Sequence, residues 1–309
     1  MQYFKLDTTS EFSEKNLCLA IGNFDGFHKG HLAIIDELKS IANKKNLSAA
    51  IMSFTPHPRE YFTQIKENFN IYSKEDKIKF LQTFNIKTFI EFTFNKNLSE
   101  LSANEFVEKI LINKLKIKSI IVGKDFKFGK SRNGNYEILE NFSNKNIFDV
   151  HLVESLMLDD KSNKFSSSII RENIKNGEME KVNFSLGRNW HMNGKIVEGD
   201  KRARKINFPT ANIIPNRHIF PKRGVYCVEV LLKNKKYLGI SNFGERPTVD
   251  GTKLLLETHI FNFNQEIYGN DLTVEFLTFI RPEQKFINFE ELTKQIKVDV
   301  ANAKKYHRI

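Results

Sequence analysis

The chain has 309 residues, of which 40% are hydrophobic, 28% charged and 12% aromatic, a composition that excludes disordered, collagen-like and coiled-coil classes. Two domains are expected at this length, and a formal net charge of +11 brings nucleic acid, anionic membranes and phosphorylated small molecules into consideration. Of the 48 basic residues 37 are Lys and 11 Arg, whereas readers of base edges rely on Arg, so much of the charge is a compositional bias and nucleic acid is not an expected partner. Met1–Ser10 lacks a cationic segment followed by an apolar run, and no stretch approaches ~18 uninterrupted apolar residues. Cys18 and Cys227 lack CxxC spacing, which disfavours a disulfide framework or a zinc site. A reducing cytoplasmic setting without membrane contact is expected, and oligomeric state is not legible.

Along the chain, the apolar runs Leu17–Ile21, Ala49–Phe54, Thr88–Phe92, Ser119–Val122 and Phe148–Val153 read as strands. Between them lie helix-period stripes, one on Leu32, Ile35, Leu38 and Ile41 and another on Ile78, Leu81 and Phe84. Ser102 and Glu105 have capping-box spacing ahead of Phe106, Ile110 and Leu111. This alternation predicts an α/β fold with a doubly wound, Rossmann-like parallel sheet over residues 1–185. After Gly187 the period changes to two. Val225–Lys233, Tyr237–Phe243, Leu254–Phe261 and Leu272–Ile280 then predict an antiparallel barrel or sandwich over 186–309, closed by an amphipathic helix at Phe289–Tyr306.

The segment Gly22-Asn23-Phe24-Asp25-Gly26-Phe27-His28-Lys29-Gly30-His31 follows the first predicted strand and opens the first predicted helix. Open parallel sheets receive ligands there, and the N–H groups of a helix start favour phosphate. His28 and His31, three apart, can face one phosphate. His57, in Ser53-Phe54-Thr55-Pro56-His57-Pro58, falls at the same sheet edge. Ser166, Ser167 and Ser168 open another predicted helix, where hydroxyls can cap N–H groups or meet a triphosphate, and Arg171 follows one turn in. The run Val122–Gly129, containing Asp125, Phe126 and Phe128, with Arg132 beyond it, suits a planar ring, although aromatics after a strand also serve as core.

Taken together these elements resemble the HxGH nucleotidyltransferase superfamily, and more closely the bacterial bifunctional riboflavin kinase/FMN adenylyltransferase family. The resemblance implies that Gly22, Asn23, Phe24, Asp25, Gly30, His57, Ser166–Ser168 and Arg171 bind ATP. Asp125, Phe126, Phe128 and Arg132 would bind flavin, and His28 and His31 would be catalytic. The implied reaction is attack of an FMN phosphate oxygen on the α-phosphorus of ATP, giving FAD and pyrophosphate.

The second half continues the resemblance. Gly199, Lys201 and Arg204 precede Pro209-Thr210-Ala211-Asn212, which on its own reads as a turn. In the riboflavin kinase module this element meets Mg²⁺ and ATP, so Thr210 and Asn212 are the implied metal and nucleotide contacts. Glu257 interrupts the apolar run Leu254–Leu256 and matches the family's base for the ribityl hydroxyl; as a strand residue it could equally face outward without a role. Gly224, Tyr226 and Arg281 match flavin-side elements. The implied small molecules are therefore riboflavin, FMN, FAD and ATP with Mg²⁺. Ala203 and Asn207 stand where the family commonly has Gly, and Ser168 stands for its usual Thr. The alternatives are an enzyme with adenylyltransferase activity alone or a basic nucleic-acid-binding protein. Residues 195–223 carry eight basic residues against Glu198 and Asp200, placing a local positive excess beside the expected kinase ATP loop.

Overall fold

A computed structural model describes the chain apart from residues 64–68, 157–163, 199–207, 216–218 and 249–250 and the side chains at 246–248 and 251–253. The backbone divides into two compact units, Met1–Ser167 and Ser168–Ile309.

The first unit holds six strands: β1 (Gln2–Leu6), β2 (Leu17–Ile21), β3 (Ser48–Thr55), β4 (Thr88–Thr93), β5 (Ser119–Gly123) and β6 (Asp149–Val153). They form one parallel sheet in the order β1-β4-β3-β2-β5-β6. Five of these strands are the expected ones. β1 is an addition, an edge strand whose exposed Gln2, Tyr3 and Lys5 break the apolar run that marks a central strand. The central strands are buried on both sides: Leu17, Leu19 and Ile21 enter one core layer, and Cys18 and Ala20 enter the other. Such strands read as continuous apolar runs because no residue faces water. The helix Lys29–Lys44 covers the second layer with Ile35, Leu38 and Ala42. On the opposite layer the expected Ser102–Glu105 capping box is formed, and the chain continues into a π-helix, Phe106–Lys114, that buries Phe106, Val107, Ile110 and Leu111. The strand order reverses at β2, which pairs with β3 on one side and β5 on the other, and this opens a crevice at their carboxyl ends.

The second unit is a closed barrel of β7 (Trp190–Val197), β8 (Ala211–Ile213), β9 (Gly224–Leu232), β10 (Lys235–Thr248), β11 (Gly251–Ile260) and β12 (Asp271–Pro282), ordered β10-β11-β8-β7-β12-β9. β7 and β8 go beyond the expected strands. Asn193 and Gly194 disguise the first, and the second has only three residues, Ala211–Ile213, where the sequence reads as a turn. The rings of Trp190, Tyr226 and Phe276 meet at 4.9–5.0 Å. The alternate residues Val225 and Cys227 face outward and are covered by the helix Phe289–His307 through Val300 and Ala303. This covering explains why β9 is apolar on both faces. Both cysteines are free and buried, and burial pushes each thiol up to about 12.

One ion pair fixes the terminal helix to β12. The Arg281 guanidinium donates from Nε to Asp299 Oδ1 and Oδ2 at 2.9 and 3.0 Å and from its η2 nitrogen to Oδ2 at 2.7 Å. Gln295 Nε2 donates to the same carboxylate at 2.8 Å. Asp299 is 3% exposed, so truncating it strands a guanidinium against an apolar layer. Asp299→Ala is expected to destabilise the barrel unit by about 3 kcal/mol, measured by denaturant unfolding. A change below ~0.5 kcal/mol would show that the pair contributes as little as a surface one.

Candidate functional site

The Gly22–His31 loop runs from the end of β2 into the Lys29–Lys44 helix, so it lies at the crevice created by the strand-order reversal. Its backbone is held in an unusual path, with Phe24 and Phe27 at φ 47° and 45° and Gly26 at φ 91°. Left-handed backbone is costly for Phe. Both rings are only 1% exposed and pack 6.2 Å apart, so apolar burial offsets that cost. His28 is the N-cap of the helix, and its Nδ1 accepts from the His31 N–H at 3.3 Å. The two imidazoles stack with centroids 3.7 Å apart, which places both side chains at the helix N-terminus as the spacing predicted. Gly30 has no side chain to fill the space beside the His28 ring, where a Cβ would lie 3.2 Å from Nδ1. Asn23 Oδ1 is buried and has no hydrogen-bond partner among the described residues.

Asp25 ties the loop to two other segments. It is 2% exposed, and Oδ1 accepts from the Ile71 N–H at 2.9 Å, while its backbone oxygen accepts from Ser167 Oγ at 2.7 Å. That second bond brings the start of the Ser167–Asn176 helix to the loop from 142 residues away. Ser166 and Ser168 flank Ser167, and Arg171 is a buried residue of the same helix. His57 follows β3, where its Nδ1 accepts from the Arg59 N–H and its own N–H donates to Glu60 Oε2, both at 3.1 Å.

The expected flavin residues fall into two groups. Phe128 is 6% exposed and belongs to the core beside Phe106, with Phe126 stacked on it at 5.4 Å. Asp125 and Arg132 are exposed, and Asp125 pairs with Lys164 and accepts from Ser155 Oγ. The Lys164 ammonium holds the Asp125 carboxyl below its ordinary range.

Two polar residues at the same sheet edge carry no motif. Glu91, near the end of β4, accepts from Tyr3 Oη and Lys74 Nζ at 2.5 and 2.8 Å through Oε2 and from Thr55 Oγ1 at 3.0 Å through Oε1. Burial raises its pKa, and these three donors, Lys74 foremost, bring it below the ordinary glutamate value. Lys77 donates from Nζ to the Asn23 backbone oxygen at 3.0 Å. Their partners lie 17 to 88 residues away for Glu91 and 54 for Lys77, so only the tertiary fold assembles them.

In the barrel, Glu257 on β11 stands directly opposite Asn212 on β8 and Asn242 on β10. Cross-strand partners share a face, so Asn212 and Glu257 occupy one side of the sheet, and Thr210 immediately precedes β8. Asn212 is 6% exposed, yet its Oδ1 has no hydrogen-bond partner among the described residues. A cleft of about 840 Å³ adjoins Thr210 and is lined also by Phe208, His259, Asn262, Tyr268 and Lys304. His259 is oriented by its Nδ1–H, which donates to the Pro209 oxygen at 2.8 Å, and burial lowers its pKa. Gly199, Lys201 and Arg204, together with Ala203 and Asn207, lie outside the described residues.

Gly224, Tyr226 and Arg281 are engaged in packing. Gly224 has φ 148°, and a Cβ there would lie 2.2 Å from the Arg281 oxygen. Tyr226 is wholly buried, with its hydroxyl donating to the Lys222 oxygen. Arg281 is paired with Asp299 as described. Among the described residues no three His, Cys, Asp or Glu side chains cluster to hold a metal ion, and no helix is long and apolar enough to cross a membrane.

A family model for FAD synthetase matches residues 10–169, and one for riboflavin kinase matches residues 186–307. The bifunctional riboflavin kinase/FMN adenylyltransferase of Haemophilus influenzae is 39% identical over 289 residues, covering 93% of each chain. The protein of the same name from Escherichia coli K12 is 32% identical over 298 residues, covering 96% of this chain and 95% of the relative. A crystal structure of a macrolide-efflux protein from Streptococcus pneumoniae matches with a TM-score of 0.86 at 28% identity, covering 98% of both chains. With both family models matched in order and relatives above 30% identity along nearly the whole length, the chain belongs to the bifunctional riboflavin kinase/FMN adenylyltransferase family.

Proposed function

We propose that the chain converts riboflavin to FAD in two ATP-dependent steps, with phosphorylation to FMN carried by residues 186–309 and adenylylation of FMN by residues 1–185. The observation that carries this reading is the presence in one chain of two separate phosphate-adapted arrangements. One is the stacked His28–His31 pair on a helix N-terminus at the strand-order reversal, and the other is the Asn212 and Glu257 face of the barrel, with Thr210 immediately before β8.

In the first unit a phosphate oxygen of FMN attacks the α-phosphorus of ATP while the bond to pyrophosphate breaks. The attacking group is already an anion, so no protein nucleophile is required. Positioning and charge stabilisation are what the chain supplies. The N–H groups at the start of the Lys29–Lys44 helix, with His28 and His31, face the developing negative charge, and Ser166 and Ser167 bind the triphosphate. His57 and the backbone of Gly22, Asn23, Phe24 and Gly30 shape the same pocket. Asp125, Phe126, Phe128 and Arg132 receive the flavin ring.

In the barrel, Glu257 accepts the proton of the terminal ribityl hydroxyl, whose oxygen attacks the γ-phosphorus of ATP as ADP leaves. The cleft beside Thr210 has the volume of a nucleotide site. The unpartnered Asn212 Oδ1 and the Thr210 hydroxyl are hard oxygen donors that fit Mg²⁺, which would neutralise phosphate charge there in company with ATP oxygens. The positive excess between Lys195 and Arg223 supports an anionic ligand on this unit.

His31→Ala is expected to lower FAD formation from FMN and ATP by at least about 100-fold while riboflavin phosphorylation stays within about twofold of wild type. Glu257→Gln is expected to do the reverse, suppressing FMN formation by about 100-fold and sparing adenylylation of supplied FMN. Chromatographic separation of riboflavin, FMN and FAD reads both. If either variant lost the two activities together while remaining folded, the assignment of one site to each unit would be wrong.

A further inference from the structure

Lys74 and Lys77 lie three apart in the helix Lys74–Thr83 and so share one face of its first turn. Their two ammonium groups hold different partners. Lys74 pairs with Glu91 of β4 at 2.8 Å and also donates to Tyr3 Oη at 2.6 Å. Tyr3 Oη donates to the same carboxylate, and Thr55 Oγ1 donates to its other oxygen, so Glu91 is held from β1, β3 and the helix at once. Lys77 instead reaches the Gly22–His31 loop and donates to the Asn23 backbone oxygen at 3.0 Å. Ile71, two residues before the helix N-cap Ser73, adds a second tie to that loop through its N–H and Asp25 Oδ1.

Two observations give this arrangement a use beyond packing. Asn23 immediately precedes Phe24, the first left-handed residue of the loop at φ 47°, and a strained path persists only where its surroundings over-determine it. The second concerns Glu91, which is 5% exposed, whereas its donors Tyr3, Lys74 and Thr55 are all exposed and would find water without it. A buried ion pair returns little more than its desolvation costs, and an apolar residue commonly serves stability as well. What the carboxylate supplies is therefore a fixed place for the helix turn. We infer that Glu91 is a positioning residue of the adenylyl-transfer site, anchoring the first turn of the Lys74–Thr83 helix to the sheet so that Lys77 holds the Asn23 carbonyl and the loop presents His28 and His31 to phosphate. This rests on the adenylyltransferase reading above. Glu91 touches no reacting atom, and its influence runs in series through Lys74, the helix turn and Lys77.

The test uses the full chain with FMN, ATP and Mg²⁺, recording kcat and KM for ATP in FAD formation, and thermal unfolding, for wild type, Glu91→Leu, Lys77→Met and the double variant Glu91→Leu/Lys77→Met. Glu91→Leu strands no buried donor, so its unfolding midpoint should stay within about 5 °C of wild type. Its KM for ATP should nevertheless rise at least about fivefold, because the loop no longer meets the phosphates in one geometry. KM is the diagnostic quantity, since a smaller folded fraction lowers the apparent kcat and leaves KM unchanged. Lys77→Met should raise KM comparably, and the double variant should exceed the worse single variant by less than about twofold, as links in series require. A wild-type KM in Glu91→Leu, a loss confined to kcat, or a double variant showing the product of the single effects would each overturn the inference. Should Glu91→Leu fail to fold, Glu91→Gln takes its place, keeping the volume and an acceptor for Thr55 while giving up the ion pair; KM should then rise about threefold, and an unchanged KM would overturn the inference. A wild-type chain that forms no FAD from FMN and ATP would overturn the adenylyltransferase reading itself.

Discussion

Burial of both faces of the central strands governs where this chain can do chemistry. With Leu17, Leu19 and Ile21 in one layer and Cys18 and Ala20 in the other, neither face of β2 is available to a ligand. The strand order reverses at β2, and the Gly22–His31 loop leaves its carboxyl end, where open parallel sheets receive ligands. The barrel meets a related constraint differently. Its interior is occupied by Trp190, Tyr226 and Phe276, so polar side chains such as Asn212 and Glu257, which oppose each other, fall on the outer face.

Charge compensation forms the next layer of the account. Phosphate substrates require positive potential, but the loop at the crevice contains a buried acid, Asp25, and the neighbouring strand end contains another, Glu91. Lys74 serves Glu91 through a hydrogen bond and also binds Tyr3, and Lys77 from the same helix ties down the Asn23 carbonyl. Acids and cations that would cancel in a net-charge count are here arranged so that rigidity comes from the pairs and potential from the helix N-terminus. The overall charge of +11 says little about this; the arrangement around one loop says more.

The parts legible in the sequence were those written locally. Doubly buried strands announce themselves as apolar runs, and the boundaries expected for β2 through β6 lie within one or two residues of the structure. The His28–His31 spacing is a property of one helix turn and was equally readable. β1 escaped because an edge strand alternates with exposed polar residues, and β8 because three residues flanked by prolines carry a turn's composition. Glu91 and Lys77 were invisible for another reason, since their partners are brought by tertiary packing and no spacing rule encodes them. Tyr226, Phe128 and Arg281 show the reverse case, in which residues matching ligand-side motifs are occupied in packing.

The central claim is that one chain runs two sequential phosphate transfers on separate units. The most direct measurement is incubation of the intact protein with riboflavin, ATP and Mg²⁺, following riboflavin, FMN, FAD and pyrophosphate over time. FMN should appear first and then give way to FAD with one pyrophosphate released per FAD formed. FMN that accumulates without FAD, or FAD that forms only when FMN is supplied, would contradict it.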